Sequence, residues 1–246
     1  MLWGLLTRLF GPKDPRWLKR LPASIVFCDV ETTGLRGTDR IVTFAGIGLR
    51  TGALARREFD LAYSHLVFDP GQKSQPKAEH VHGYSDWLLR FQDPFSVYAE
   101  EIWRFISRYD LIVAHHAAFD VPFINREMAL AGLPALALPT YCTMEAYRAQ
   151  HQGGSASLTA ICERLHLARE GKLHGALEDA WLAMQVYLWL QGCPLRAPLP
   201  DAMPRVPANL REAPPTLART PRRKRLACYP VVFGPGDENA DHALAA

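Results

Sequence analysis

Two short apolar, β-branched runs in this chain each lead into a carboxylate, and that placement restricts the fold more than any other feature. The stretch Ser24–Asp29 reads as a buried strand that delivers Asp29 and then Glu31 at its end. Leu111–Ala114 reads as a second short buried strand, and Asp120 follows it at the start of a helix, facing the first pair across the sheet. A third block, HGALEDA, supplies His174 in a loop and Asp179 near the start of an apolar helix, Leu177–Leu190. Four acids and a histidine that converge can hold two divalent ions and provide a base, which is the equipment for hydrolysing a phosphodiester.

Asp29 and Glu31 are two residues apart, so on a continuing strand they point to one face. Two carboxylates side by side repel unless a cation lies between them. Oxygen-only donors suit a hard ion, Mg²⁺ or Mn²⁺. Taken alone, each residue has a plainer explanation. Asp-x-Glu is a common strand end, Asp120 could serve the helix dipole, and a loop histidine is usually solvated. Their combination carries the functional reading.

The rest of the chain reads as follows. Ile41–Leu49 and Arg57–Phe68 are strands, joined by a hairpin turn at Thr51-Gly52 into an antiparallel meander with the first strand. Ser85–Leu89 is a short helix opened by a capping serine, with His82-Gly83 as the structural turn before it. Phe95–Arg108 has Phe95, Tyr98, Ile102, Phe105 and Ile106 on one helical face. Phe119–Ala131 is a helix stopped by Gly132 and Pro134, Pro139–Thr143 a strand, and Leu158–Leu165 a helix. The order β-β-β-α-β-α-β-α-α predicts an α/β fold with a mixed five-stranded sheet flanked by helices.

Three regions are expected: a basic lead-in (1–21), a catalytic body (22–193) and a Pro-rich basic tail (194–246) that is extended and disordered. The body has more acids than bases, while the tail carries Arg222, Arg223, Lys224 and Arg225. Acids in the middle and bases at the flanks suit metal chemistry at the centre and phosphate contact at the edges. No apolar run approaches the ~18 residues of a membrane helix. Five widely spaced cysteines without a CxxC pair suggest neither zinc nor a disulfide framework, so a reducing cytoplasm is the expected location.

The blocks DVETTGL, HHAAFD and HGALED, in that order, resemble the DnaQ-like (DEDDh) family of 3′→5′ exonucleases, the family of the proofreading subunit of the bacterial replicative polymerase. The resemblance spans roughly residues 22–191. It implies a ribonuclease-H-like fold and a two-metal site of Asp29, Glu31, Asp120 and Asp179, with His174 as the base. His174 stands five before Asp179, the spacing of the histidine branch. The position four before, where the other branch has tyrosine, is Gly175. The resemblance further implies that Thr32, Thr33, Gly34 and Leu35 receive the terminal nucleotide, with Leu35 wedged against the base. The expected substrate is single-stranded DNA with a free 3′ end, cut to nucleoside 5′-monophosphates, and a DNA polymerase subunit is the expected protein partner. His116 stands where the family usually has Asn. Two alternatives stay open: the same chemistry on RNA, and a non-catalytic docking module of the same fold.

Overall fold

A computed structural model of the chain describes residues 16–151, 153–167, 175–197 and 203–215. Every strand and helix among the described residues lies before Pro214. Strands β1 (Ser24–Thr32), β2 (Ile41–Arg50) and β3 (Asp60–Val67) form the antiparallel meander. Strands β4 (Leu111–Ala114) and β5 (Thr140–Cys142) extend the sheet parallel to β1, giving the order β3-β2-β1-β4-β5. This is the expected mixed five-stranded sheet. The helices are α1 (Pro76–His82), α2 (Asp86–Leu89), α3 (Phe95–Ser107), α4 (Ala117–Leu130), α5 (Thr143–Gln150), α6 (Leu158–Leu165) and α7 (Ala176–Leu190).

β1 is apolar on both faces because both are covered. Ile25 and Phe27 point into one core with Ala45, Ile47 and Leu49 of β2 and most of α7. Val26, Cys28 and Val30 point into the other, built with α3 and α4. Helix α7 is buried along nearly its whole length, so it is apolar all round rather than on one stripe. Phe27 meets Tyr187 of α7 edge-on at 5.6 Å, and burying such a ring contributes about 1.5–3 kcal/mol. On the opposite face Gly48 of β2 is a contact requirement: a Cβ there would stand 1.7 Å from the Tyr109 hydroxyl oxygen.

Some local expectations are corrected. The β2–β3 connection is not a two-residue turn at Thr51-Gly52 but a 3₁₀ helix, Thr51–Arg56, closed by Arg57 at φ 63°. The extra length buries Ala53 and Leu54, which a tight turn would leave in water. His82-Gly83 ends a helix instead of opening one: α1 begins with Pro76 and stops at Gly83 in the left-handed region, φ 76°. Helix α5 was not anticipated, and its eight residues bury only Thr143 and Tyr147.

Nor is the stretch from Pro194 onward simply a free tail. Residues 204–211 form a strap along β3. The Pro204 carbonyl lies 2.9 Å from His65 Nδ1, and Ala208 N–H donates to the His65 carbonyl at 2.8 Å. The Asn209 side-chain amide accepts from Val67 N–H at 2.9 Å and donates to the Val67 carbonyl at 2.7 Å. Gln92 repeats the arrangement with the backbone of Arg211, both bonds at 2.9 Å. An edge strand presents unpaired N–H and C=O groups. A proline-rich segment is short of backbone donors, so side-chain amides do part of the pairing.

Candidate active site at the ends of β1 and β4

β1 and β4 are parallel, with Phe27 opposite Val113, so their C-terminal ends open on the same edge of the sheet. Asp29 and Glu31 continue the Ile25–Phe27 face of β1 and are half-buried. Asp120 is in the first turn of α4, 3% exposed, and its Oδ1 accepts a hydrogen bond from Val30 N–H at 3.2 Å. That bond ties α4 to β1 between the two acids of the first block. Asp179 is in the first turn of α7, 7% exposed. His174 lies outside the described residues.

The site is electrostatically crowded. Burial pushes the Asp120 carboxyl up to about 7; N–H donors from Val30 and Asp120 itself pull it back, and the charge of Asp179 adds to the rise. The buried Cys28 thiol is raised by burial, then by Asp120 and Asp29. The Tyr84 phenol is raised by burial and then by Glu31. Asp120 therefore lies within electrostatic reach of Asp179; Asp29 and Asp120 both lie within reach of the Cys28 thiol, and Glu31 lies within reach of Tyr84. Such a set relieves its repulsion by taking up a cation. Among the described residues no group of three or more His, Cys, Asp and Glu side chains is placed to hold a metal ion. Mg²⁺ does not need one: it is commonly held by one or two carboxylates, water and substrate phosphate. The residues present fit such an ion, since the donors are all oxygen and are divided among three elements.

The loop after β1 is built differently from its two ends. Thr32 Oγ1 donates to the Gly34 carbonyl at 2.6 Å. Thr33 is fully buried; its hydroxyl reaches Asp39 at 3.3 Å and accepts from Arg40 N–H at 3.0 Å and Gln72 at 2.6 Å. Gly34 sits where a Cβ would come within 2.1 Å of Gln75 Nε2. Leu35 alone of the four projects, 80% exposed. The structure thus turns the two threonine side chains inward as loop braces and presents Leu35 outward. Asp39, which accepts from Arg36 N–H at 2.6 Å and Gln75 at 3.1 Å, holds the loop shut. Nothing local in the sequence marks the Asp39 side chain as the loop's anchor.

His115 is a brace, with Nδ1 2.9 Å from Thr143 Oγ1 and Nε2 3.0 Å from the Ala156 carbonyl. His116, in the place usually held by Asn, is the exposed N-cap of α4 and stacks on Phe119 at 6.0 Å; its side chain makes no capping bond. Farther along α4, Glu127 takes a bidentate ion pair from Arg40 at 2.6 and 2.7 Å, fixing the helix against the start of β2. Tyr84, half-buried beside Glu31, is a further wall residue that sequence periodicity did not single out.

The family model for exonucleases (RNase_T) matches residues 26–187. The DNA polymerase III subunit epsilon of Rickettsia conorii (strain ATCC VR-613 / Malish 7) is 33% identical over 174 residues, covering 68% of this chain and 73% of that protein. The subunit of the same name from Escherichia coli (strain K12) is 28% identical over 178 residues, covering 68% and 71%. Among solved structures, exonuclease X in complex with 5′ overhanging duplex DNA aligns with a TM-score of 0.52 at 20% identity, over 69% of this chain and 92% of that one. Product-bound exonuclease I aligns with a TM-score of 0.60 at 14% identity, over 70% of this chain and 44% of that one. These likenesses carry the ribonuclease-H-like fold, while the family rests on the sequence matches. On the family match over residues 26–187 and the 33% identity over 68% of this chain, the chain belongs to the exonuclease (RNase_T) family.

Proposed function

We propose that the chain is a metal-dependent 3′→5′ exonuclease that releases nucleoside 5′-monophosphates from DNA. The observation that supports this most is that buried Asp120 feels the charge of buried Asp179, and that the Cys28 thiol beside them feels both Asp120 and the half-buried Asp29, with Glu31 acting on Tyr84. These four acids would hold two Mg²⁺ or Mn²⁺ ions. When bound, such ions make water a better nucleophile and stabilise charge on the phosphate and the leaving oxygen. His174 takes the proton from the attacking water and must be neutral to do so. Leu35, exposed at the loop tip, packs against the terminal base, while Thr32, Thr33 and Gly34 shape the loop that receives the sugar. Single-stranded DNA with a free 3′ end is the substrate that this reading favours. The names of the sequence relatives point to a DNA polymerase as the assembly in which it would proofread.

The test is degradation of end-labelled DNA and RNA oligonucleotides with Mg²⁺, Mn²⁺ or EDTA. DNA labelled at its 5′ end should shorten stepwise from the 3′ end, only with metal, and Asp29→Ala and Asp179→Ala should abolish turnover while staying folded. His174→Ala should lose roughly 10²–10⁴-fold in rate yet still bind metal and a 3′ end. Full activity in excess EDTA, or in Asp29→Ala, would falsify the metal mechanism. Faster cleavage of RNA would move the substrate assignment.

A further inference from the structure

Thr43 lies on β2 directly across from Glu31, with Val67 of β3 on its other side. It is 1% exposed, and among the described residues its Oγ1 has no hydrogen-bond partner. A buried hydroxyl left unsatisfied costs about 1–3 kcal/mol. Its apolar neighbours offer no remedy: Val67 is opposite and Ala45 is next on the same face. Valine would fill the same shape without that cost, so the hydroxyl is explained only by a partner that the working site supplies.

The register identifies that partner. Cross-strand neighbours hold their Cβ atoms about 4.5–5.5 Å apart, a gap that a threonine hydroxyl and a glutamate carboxylate can close with one hydrogen bond. The β1–β2 register also shifts at this point: Glu31 pairs with Thr43, but Thr32 pairs with Ile41, so Val42 is an extra residue in β2. Such bulges re-aim the side chains beside them.

We propose that Thr43 is a positioning residue for Glu31, its hydroxyl donating to the Glu31 carboxylate and fixing the orientation in which that carboxylate holds a divalent ion. This rests on the exonuclease reading above. It adds a residue outside the four acids and the base, on a strand that carries none of them. A hydroxyl that orients a ligand tunes affinity without touching the ion.

The test uses the full chain, with Mn²⁺ as the probe. Mn²⁺ binding is measured by calorimetry, and melting temperature is followed in EDTA and in Mn²⁺, for wild type, Thr43→Val, Thr43→Ser and Asp29→Ala. Thr43→Val should bind Mn²⁺ about 10-fold more weakly or worse, in the range for removing a hydrogen-bond partner from a metal ligand. Its melting temperature in EDTA should equal or exceed that of wild type, because the orphan hydroxyl is gone, while the rise on adding Mn²⁺ shrinks. Thr43→Ser should keep near-wild-type affinity. A purely structural hydroxyl would instead lower stability in EDTA and leave Mn²⁺ affinity alone. Thr43→Ala, which removes hydroxyl and packing together, should match Thr43→Val in affinity but melt lower. Equal Mn²⁺ affinity in wild type and Thr43→Val, with Asp29→Ala deficient, overturns the role of Thr43 alone. Wild type that binds no Mn²⁺ overturns the exonuclease reading and this inference together.

Discussion

His115 shows how far a single residue's role depends on its neighbours. A carbonyl can only accept, so the Ala156 contact puts the proton on Nε2, and Nδ1 accepts from the Thr143 hydroxyl. Burial lowers the imidazole to about 4, against opposing pulls from the Ala156 carbonyl and Asp179. His82 is likewise lowered to about 4, mainly by burial, and its Nδ1 accepts from Tyr84 N–H. In both cases the folded value lies below the ordinary value near 6.5, so the unfolded chain takes the proton first. The stability that each contributes is fully present above about pH 6.5 and is lost as pH falls through about 4. Ring proton shifts of both histidines should therefore stay flat from neutrality down to about pH 5. His115→Gln should lose less melting temperature than wild type between about pH 6.5 and 4. A His115 ring that titrates near its ordinary value would contradict this account.

At the scale of elements, the strap is the largest departure from what the sequence suggested. Its hydrogen bonds run from Asn209 and Ala208 to an edge strand far back in the chain. Leu210 packs into the small core of Val42, Val67 and Leu89, beside Tyr84. Shortening the protein after Cys193 would bare the β3 edge and strip one wall of that core. Shortening it after Ala213 would remove neither. The protein ending at Cys193 should melt roughly 5–15 °C lower than the one ending at Ala213, from several net hydrogen bonds and the partly buried Leu210, and should aggregate more readily through its open edge. Equal melting curves would mean that the strap is not part of the folded body. The strands were legible because short β-branched runs buried on both faces have few other readings. Helices α1 and α5 lack an apolar face, burying only His82 and only Thr143 and Tyr147, so periodicity does not separate them from loop, whereas the equally short α6 buries Leu158, Ile161 and Cys162.

For the molecule as a whole, charge is the open question. Acids outnumber bases between residues 22 and 193, and the densest basic cluster, Arg222, Arg223, Lys224 and Arg225, lies outside the described residues. An acidic body repels a polyanion away from its metal site, so we expect the basic end to contribute non-specific phosphate contacts. Affinity for single-stranded DNA across a salt series should then show a shallower slope and weaker binding for the protein ending at Ala213 than for the full chain. Each phosphate that is no longer neutralised should change the slope by about 0.7, with kcat little altered. Superimposable salt plots would exclude direct binding of DNA by this segment and leave it to a protein partner or to no role in binding. Cutting at Ala213 rather than Cys193 keeps the strap, so the comparison reads charge and not stability.

From the sequence alone came the strands, the fold class and the placing of Asp29 and Glu31 at the end of a buried strand, because these depend on local pattern. Period-two alternation puts Asp29 and Glu31 on one face wherever the strand lies, and a carboxylate just past a buried run falls at a sheet edge. What only the tertiary structure decided depends on register and burial between distant segments. These are the pairing of Thr43 with Glu31, the rise of the Asp120 carboxyl under burial and Asp179, and the inward turn of Thr33 onto Asp39 and Gln72. The same holds for the docking of Asn209 on Val67. No local window holds that information, since each partner is named by the fold and each energy is set by how much water the fold excludes.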